Sequence, residues 1–124
     1  MLLPHAEYLL FVYVCFGGAV PQNCHPQNIS LMQTRAPLMG IEVVVGSVHS
    51  ADFSCGEYCG MIVQNPDTYG QIVDLTDLTT AAHASGTLVV AIADLMASAI
   101  VKSSGEMGVD IVVGSAQRFG VPMV

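Results

Sequence analysis

Apolar and polar positions along the chain fall into short blocks whose period keeps changing. After Pro26, Ile29, Met32 and Ala36 recur at i, i+3 and i+7, the spacing of one helical face. Proline is tolerated in a first helical turn, and Pro37 and Gly40 are placed to close the helix. Residues 41–45 (IEVVV) and 60–64 (GMIVQ) read as strands. A turn stretch dense in Pro, Asp and Gly follows, Asn65-Pro66-Asp67-Thr68-Tyr69-Gly70. Asp74 is a good N-cap for the next helix, with Asp77 in the first turn favoured by the dipole. Leu75, Leu78 and Ala82 then line one face until Gly86 ends the helix at C′. Residues 87–93 (TLVVAIA) form an uninterrupted apolar strand, 94–102 a short helix, 105–108 a turn, and 109–113 a last strand. Strands apolar on both faces and separated by helices predict an α/β fold, a mainly parallel sheet flanked by helices.

Both ends of the chain depart from this pattern. Residues 8–20 (YLLFVYVCFGGAV) are continuously apolar, too short for the roughly 20 residues that span a bilayer. The run has the length of a signal-peptide core and small residues at Gly17-Gly18-Ala19, but Glu7 and no Lys or Arg precede it. No arginine occurs before Arg35, so a transit peptide is not recognisable either. Its aromatic and β-branched residues over 9–14 favour a buried strand. At the other end the chain stops at Gly120-Val121-Pro122-Met123-Val124, just after a strand of buried type. A parallel sheet left so exposes apolar faces and unpaired backbone groups, which makes the chain look truncated at both ends and part of something larger.

With 124 residues the chain has room for one domain. Apolar residues reach 52% and charged ones only 10%, against roughly 25% charged in an ordinary soluble domain, so disorder is excluded and part of the surface expects to be covered. Ten carboxylates face only Arg35, Lys102 and Arg118, for a formal net charge of −7. Nucleic acid as a partner needs clustered cations and is excluded, as is an anionic membrane surface. Cys15, Cys24, Cys55 and Cys59 are too few and too irregular for a disulfide scaffold, which points to reduced thiols.

Several chemistries can be dismissed. There is no glycine-rich phosphate loop and no nucleophile elbow. Cys55 and Cys59, with His49 upstream, lack the second ligand pair of a zinc site. His25 and His83 read as satisfied structural histidines. One arrangement stands out. Asp94 follows one apolar strand, and the next leads into Gly114-Ser115-Ala116-Gln117-Arg118, at the carboxyl ends where open α/β sheets bind ligands. Pyridoxal-phosphate enzymes place an Asp and a Lys this way, the Asp holding the pyridine nitrogen and the Lys forming the Schiff base. Arg118 cannot do the latter, because a guanidinium keeps its proton. The plainer reading has Asp94 capping its helix and Arg118 binding a carboxylate or backbone carbonyls.

Three strings carry a family resemblance. Cys24-His25-Pro26-Gln27-Asn28-Ile29 with Gln33-Thr34-Arg35-Ala36, the turn Gln64-Asn65-Pro66-Asp67-Thr68-Tyr69-Gly70, and above all the stretch from Val109-Asp110-Ile111 through Gly114-Ser115-Ala116-Gln117-Arg118-Phe119-Gly120-Val121-Pro122 resemble motifs of the P-protein of the glycine cleavage system. The resemblance covers about residues 24–123. It implies part of an aspartate-aminotransferase-type (fold type I) large domain over 24–124, with 1–23 an apolar segment outside the family pattern. It also implies pyridoxal-phosphate-dependent decarboxylation of glycine, with the aminomethyl group passed to the lipoyl arm of the H-protein. The P-protein has two similar halves, and the Gln117-Arg118-Phe119 string resembles the amino-terminal one, whereas the Schiff-base lysine lies in the other.

The resemblance therefore implies no catalytic, cofactor-binding or metal-binding residue in this chain, and no cofactor bound to it covalently. Lys102 is expected to be a solvated cation at a helix end. The implied partners are the remaining half of the P-protein and the lipoylated H-protein, in an oligomer, within mitochondria of a eukaryote or the cytoplasm of a bacterium. Ser103-Ser104-Gly105-Glu106 departs from the family's Pro-Pro-Gly-Glu. The alternative is an independent secreted or membrane-associated α/β binding module driven by residues 1–20. From the low charge and the open sheet, the isolated chain is expected to aggregate or to fail to fold cooperatively; sedimentation showing monomer with one sharp unfolding transition would contradict this.

Overall fold

The computed structural model describes residues 19–20, 24–46, 53 and 58–121. The expected strand at 9–14 lies outside these residues, as do Cys15, His49, Cys55 and Met123. The described elements are β1 (Ala19–Val20), α1 (Pro26–Arg35), a 3-10 turn (Ala36–Met39), β2 (Val44–Val45), β3 (Gly60–Asn65), α2 (Thr76–Ala84), β4 (Leu88–Ala93), a 3-10 turn (Ala97–Ala99), β5 (Ile111–Val113) and a last 3-10 turn (Gln117–Phe119). Strands β3, β4 and β5 form a parallel sheet in that order, with Gly60 opposite Leu88, Asn65 opposite Ala93, and Val90 opposite Ile111. A separate parallel pair joins β1 to β2. The α/β class and the parallel sheet agree with the periodicity.

Alternation along the strands divides the apolar residues between two layers. Met61 and Val63 of β3 and Val89 and Ala91 of β4 are buried with Leu75, which precedes α2, with Ala82 of α2, and with Met107 and Val109. The intervening residues, Ile62 and Ile92, face the opposite side and pack with Ile29 and Met32 of α1 around buried Cys24. Each helix thus covers one face of a sheet whose strands are apolar on both, the requirement that parallel sheets impose.

Four local expectations are corrected. Helix α2 begins at Thr76 rather than directly after Asp74; the Asp74 carboxylate accepts the Thr76 N–H at 2.9 Å and the Thr76 hydroxyl, closing an Asx turn one residue early. The face expected of Leu75, Leu78 and Ala82 does pack on the core, and Thr79 joins it, its hydroxyl donating to the Met107 carbonyl at 2.6 Å. Residues 41–43 are not strand, because the end of the preceding helical segment uses the backbone there. Gly40 at φ +73 directs its own N–H to the Pro37 carbonyl, and Ile41 donates to Ala36 at 3.0 Å, a left-handed closure glycine permits. The helix expected at 94–102 is reduced to the turn Ala97–Ala99, with Leu95, Met96 and Ile100 exposed; a short helix with no apolar stripe to bury is not held.

The fourth concerns the last strand. Its ladder is confined to Ile111–Val113, and these residues are 50%, 45% and 47% exposed rather than buried, since β5 is paired on one side only among the described residues. It is held at its start by Asp110. The Asp110 carboxylate accepts the Val89 N–H at 2.7 Å and meets His83 Nε2 at 2.8 Å, while the Asp110 N–H donates to the Val89 carbonyl at 3.0 Å. The Val89 N–H and then His83 hold this carboxyl below its ordinary range. A carboxyl depressed in the fold stabilises above its unfolded pKa and ceases to do so as pH falls through the folded one.

Two outcomes follow from this packing. Leu75→Ala is expected to cost about 2–5 kcal/mol, read by pulse proteolysis in urea on dilute chain. Asp110→Asn is expected to leave stability less dependent on pH than wild type below about pH 4, where the native carboxylate becomes protonated; superimposable acid-unfolding curves by far-ultraviolet circular dichroism would contradict this.

Candidate functional site

The carboxyl ends of β3, β4 and β5 open on one cavity of about 500 Å³, within the range of small-molecule sites. Its polar lining is His25, Gln64, Asp94, Ser115, Gln117 and Arg118, with Pro66 and Ile92 among the apolar walls. Asp94 directly follows β4 and the 114–118 loop directly follows β5, so both reach the cavity as strand-end residues. That loop crosses close above β4: a Cβ on Gly114 would lie 2.4 Å from the Ala93 carbonyl oxygen, an approach only glycine allows.

The crossing brings Arg118 onto Asp94. Its guanidinium meets the Asp94 Oδ2 at 3.0 Å, with the side chains 59% and 25% exposed, while Asp94 Oδ1 accepts the Met96 N–H at 3.0 Å. A pair this exposed adds about 0–1 kcal/mol to stability; its effect is to orient. The plainer sequence reading holds for both residues, Asp94 capping the turn that follows it and Arg118 binding a carboxylate.

The third strand end was not singled out in the sequence. Gln64 is 5% exposed, and its Oε1 accepts the His25 N–H at 3.1 Å and Asn28 Nδ2 at 3.2 Å. Next to it, Asn65 exchanges two hydrogen bonds with the Val73 backbone, at 2.8 and 3.2 Å, and Asp67 Oδ1 accepts the N–H groups of Tyr69 and Gln71, both at 2.8 Å. These bonds shape the 65–71 turn. The available signal was a Gln-Asn pair ending an apolar strand, where buried amides need partners.

Both histidine candidates have local partners, His25 in the cavity lining and His83 away from it. His25 Nδ1 is 2.9 Å from the Thr68 hydroxyl, and His83 pairs with Asp110, so both are partnered structural histidines. Lys102 follows no α-helix; its Nζ donates to Thr76 Oγ1 at 2.9 Å, at the start of α2, and it does not line the 500 Å³ cavity. That position corrects the expected helix-end cation. The cavity holds an arginine already paired with the aspartate and no amine, so its residues do not fit covalent attachment of pyridoxal phosphate. Among the described residues no group of three or more His, Cys, Asp or Glu is placed to hold a metal, and none of their helices is long and apolar enough to cross a membrane. Cys59 is half-buried. Cys24 is buried beneath α1, and burial pushes its thiol up to about 12.

Comparison with known proteins gives a consistent picture. Residues 18–124 match the model of the family described as glycine cleavage system P-protein. Over 104 residues the chain is 48% identical to the mitochondrial glycine dehydrogenase (decarboxylating) of Flaveria anomala, covering 84% of this chain and 10% of that protein. It is 51% identical over 104 residues to the glycine dehydrogenase (decarboxylating) of Vibrio vulnificus, covering 84% and 11%. The chain therefore spans about a tenth of the length of these relatives. The model is also similar to a crystal structure of glycine decarboxylase (P-protein) of the glycine cleavage system in inhibitor-bound form, with TM-score 0.72 and 29% identity over 82% of this chain and 24% of that one. Nothing in these matches supports a separate secreted or membrane-associated binding module.

The Cys24 environment generates a prediction. At pH 8 native Cys24 is expected to resist iodoacetamide, since the thiolate is the nucleophile, and to become labelled in denaturant. Peptide mapping that finds equal labelling with and without denaturant would contradict the burial.

Proposed function

The chain belongs to the glycine cleavage system P-protein family, and from that premise we propose that it is a supporting part of a glycine decarboxylase, inactive on its own. The activity of the whole protein is taken to be decarboxylation of glycine with pyridoxal phosphate, the aminomethyl group passing to the lipoyl arm of the H-protein. In this reading residues 24–124 form part of a fold type I large domain in the half without the Schiff-base lysine. They contribute no catalytic, cofactor-anchoring or metal-binding residue. The partners are the remaining half of the P-protein, with which an oligomer forms, and the lipoylated H-protein. Relatives in plants carry mitochondrial names and bacterial ones do not, so the compartment follows the source, mitochondrion or bacterial cytoplasm.

The observation that carries this reading is the identity of the base in the cavity. A Schiff base needs a neutral amine, and Arg118 supplies a guanidinium that stays protonated and is held by Asp94 at 3.0 Å. The sole lysine, Lys102, is bound to Thr76 outside that cavity. What the chain offers is a scaffold: a covered parallel sheet, and beside it exposed apolar side chains at Ile111, Val112, Val113 and Phe119 suited to burial against other protein.

The test is reconstitution. Purified chain incubated with pyridoxal phosphate and reduced with borohydride is expected to show no more label on Lys102 than the same chain in denaturant, and no exchange of carbon dioxide with the glycine carboxyl. The Arg118→Lys variant is expected to remain equally inactive. Exchange catalysed by the chain unaided would overturn the proposal.

A further inference from the structure

Gln64 carries a donor that no described residue accepts. The His25 main-chain N–H can only donate, so the Gln64 atom 3.1 Å from it is the carbonyl oxygen, and the amide orientation is settled by that contact. Asn28 Nδ2 occupies the same oxygen at 3.2 Å. The Nε2 group has no acceptor among the described residues, although the residue is 5% exposed and lines the cavity. Buried amide donors are seldom left so, because the lost hydration is not replaced. Arg118 is exposed rather than buried, but it too has donors to offer: one guanidinium nitrogen meets Asp94, and the rest of its fork faces solvent with no partner among the described residues.

We propose that the cavity between Gln64 and Arg118 is a carboxylate-binding site, in which Gln64 Nε2 and the unused edge of the Arg118 guanidinium donate to the two oxygens of one carboxylate. Both donors line the same cavity, and a planar guanidinium edge matches a planar pair of oxygens. Charge favours a monoanion over a dianion, because Arg118 is the one lysine or arginine lining the cavity and already shares its charge with Asp94, so each further negative charge on the occupant lacks a partner. Pro66 and Ile92 offer an apolar wall to the carbon body behind the carboxylate. The carboxylate can come from a small free acid or from an Asp or Glu side chain of another polypeptide; the recognition chemistry is the same. The site is independent of the decarboxylase reading, since it uses neither an amine nor a cofactor.

Phenylglyoxal tests this on the full chain in dilute solution at constant ionic strength. The sequence has two arginines, so Arg35, exposed on α1, is an internal control for Arg118. Saturating acetate is expected to slow modification of Arg118 about tenfold and leave Arg35 unchanged, whereas acetamide protects neither. N-acetyl-aspartate α-amide protecting at much lower concentration than acetate assigns a side-chain source; equal protection assigns a free acid. Gln64→Glu keeps the oxygen facing His25 but replaces the donor with an acceptor, and is expected to abolish protection. Because a charge at this depth can unfold the chain, the wild-type protein labelled with ¹⁵N in glutamine provides a second readout. Its Gln64 side-chain amide is expected to shift with acetate and not with acetamide. Unprotected Arg118 with an unmoved Gln64 amide, or acetamide acting as well as acetate, would overturn the proposal.

Discussion

The β3–β4 ladder is the contact on which the rest of this molecule depends. It is parallel, six residues long on each strand, and apolar on both faces, and such a ladder is stable only when both faces are covered. Helix α2 and the residue before it meet that demand on one side through Ala82 and Leu75, and α1 on the other through Ile29 and Met32 around Cys24. The order of elements, the tight closure at Gly40 and the Asx turn at Asp74 all serve to bring these two helices back across the sheet. Removing apolar volume from this layer acts on every other feature, since the strand ends are positioned only by the ladder.

The carboxyl edge is where that geometry becomes chemistry. Successive strand ends present Gln64, Asp94 and the 114–118 loop to one cavity. They do so because parallel strands all point the same way, a property antiparallel sheets lack. Glycine at 114 lets the loop pass over the Ala93 carbonyl, and the passage is what lets Arg118 reach Asp94. Asp110 performs the matching task at the other end of β5, joining its start to Val89 and His83. The edge strand is therefore held by polar contacts at both ends, while its own apolar side chains remain half-exposed.

An arginine where a lysine would be needed changes what such a cavity can do without changing its shape. It can bind and orient an anion, and it cannot condense with an aldehyde. In the proposed reading, a chain with this arginine and with exposed apolar residues at β5 supports a polypeptide that carries the amine. The Gln64 donor, which has no acceptor among the described residues, is the kind of buried polar group at which something else can bind.

The type and order of α1, β3, α2, β4 and β5, the parallel sheet, the family strings and the identity of Arg118 beyond the last strand were legible in the sequence. They depend on periodicity over a few residues or on the identity of single side chains, and both are local properties. The tertiary structure decided which residues meet. Among the described residues it confined the ladders to Val44–Val45 and Ile111–Val113, and reduced 94–102 to a turn whose Leu95, Met96 and Ile100 stay exposed. It moved Lys102 to the start of α2 and buried Gln64 against α1, 36 residues away in sequence from Asn28. Such contacts join segments far apart in the chain, so no local pattern encodes them; they exist only once the two helices have closed over the sheet.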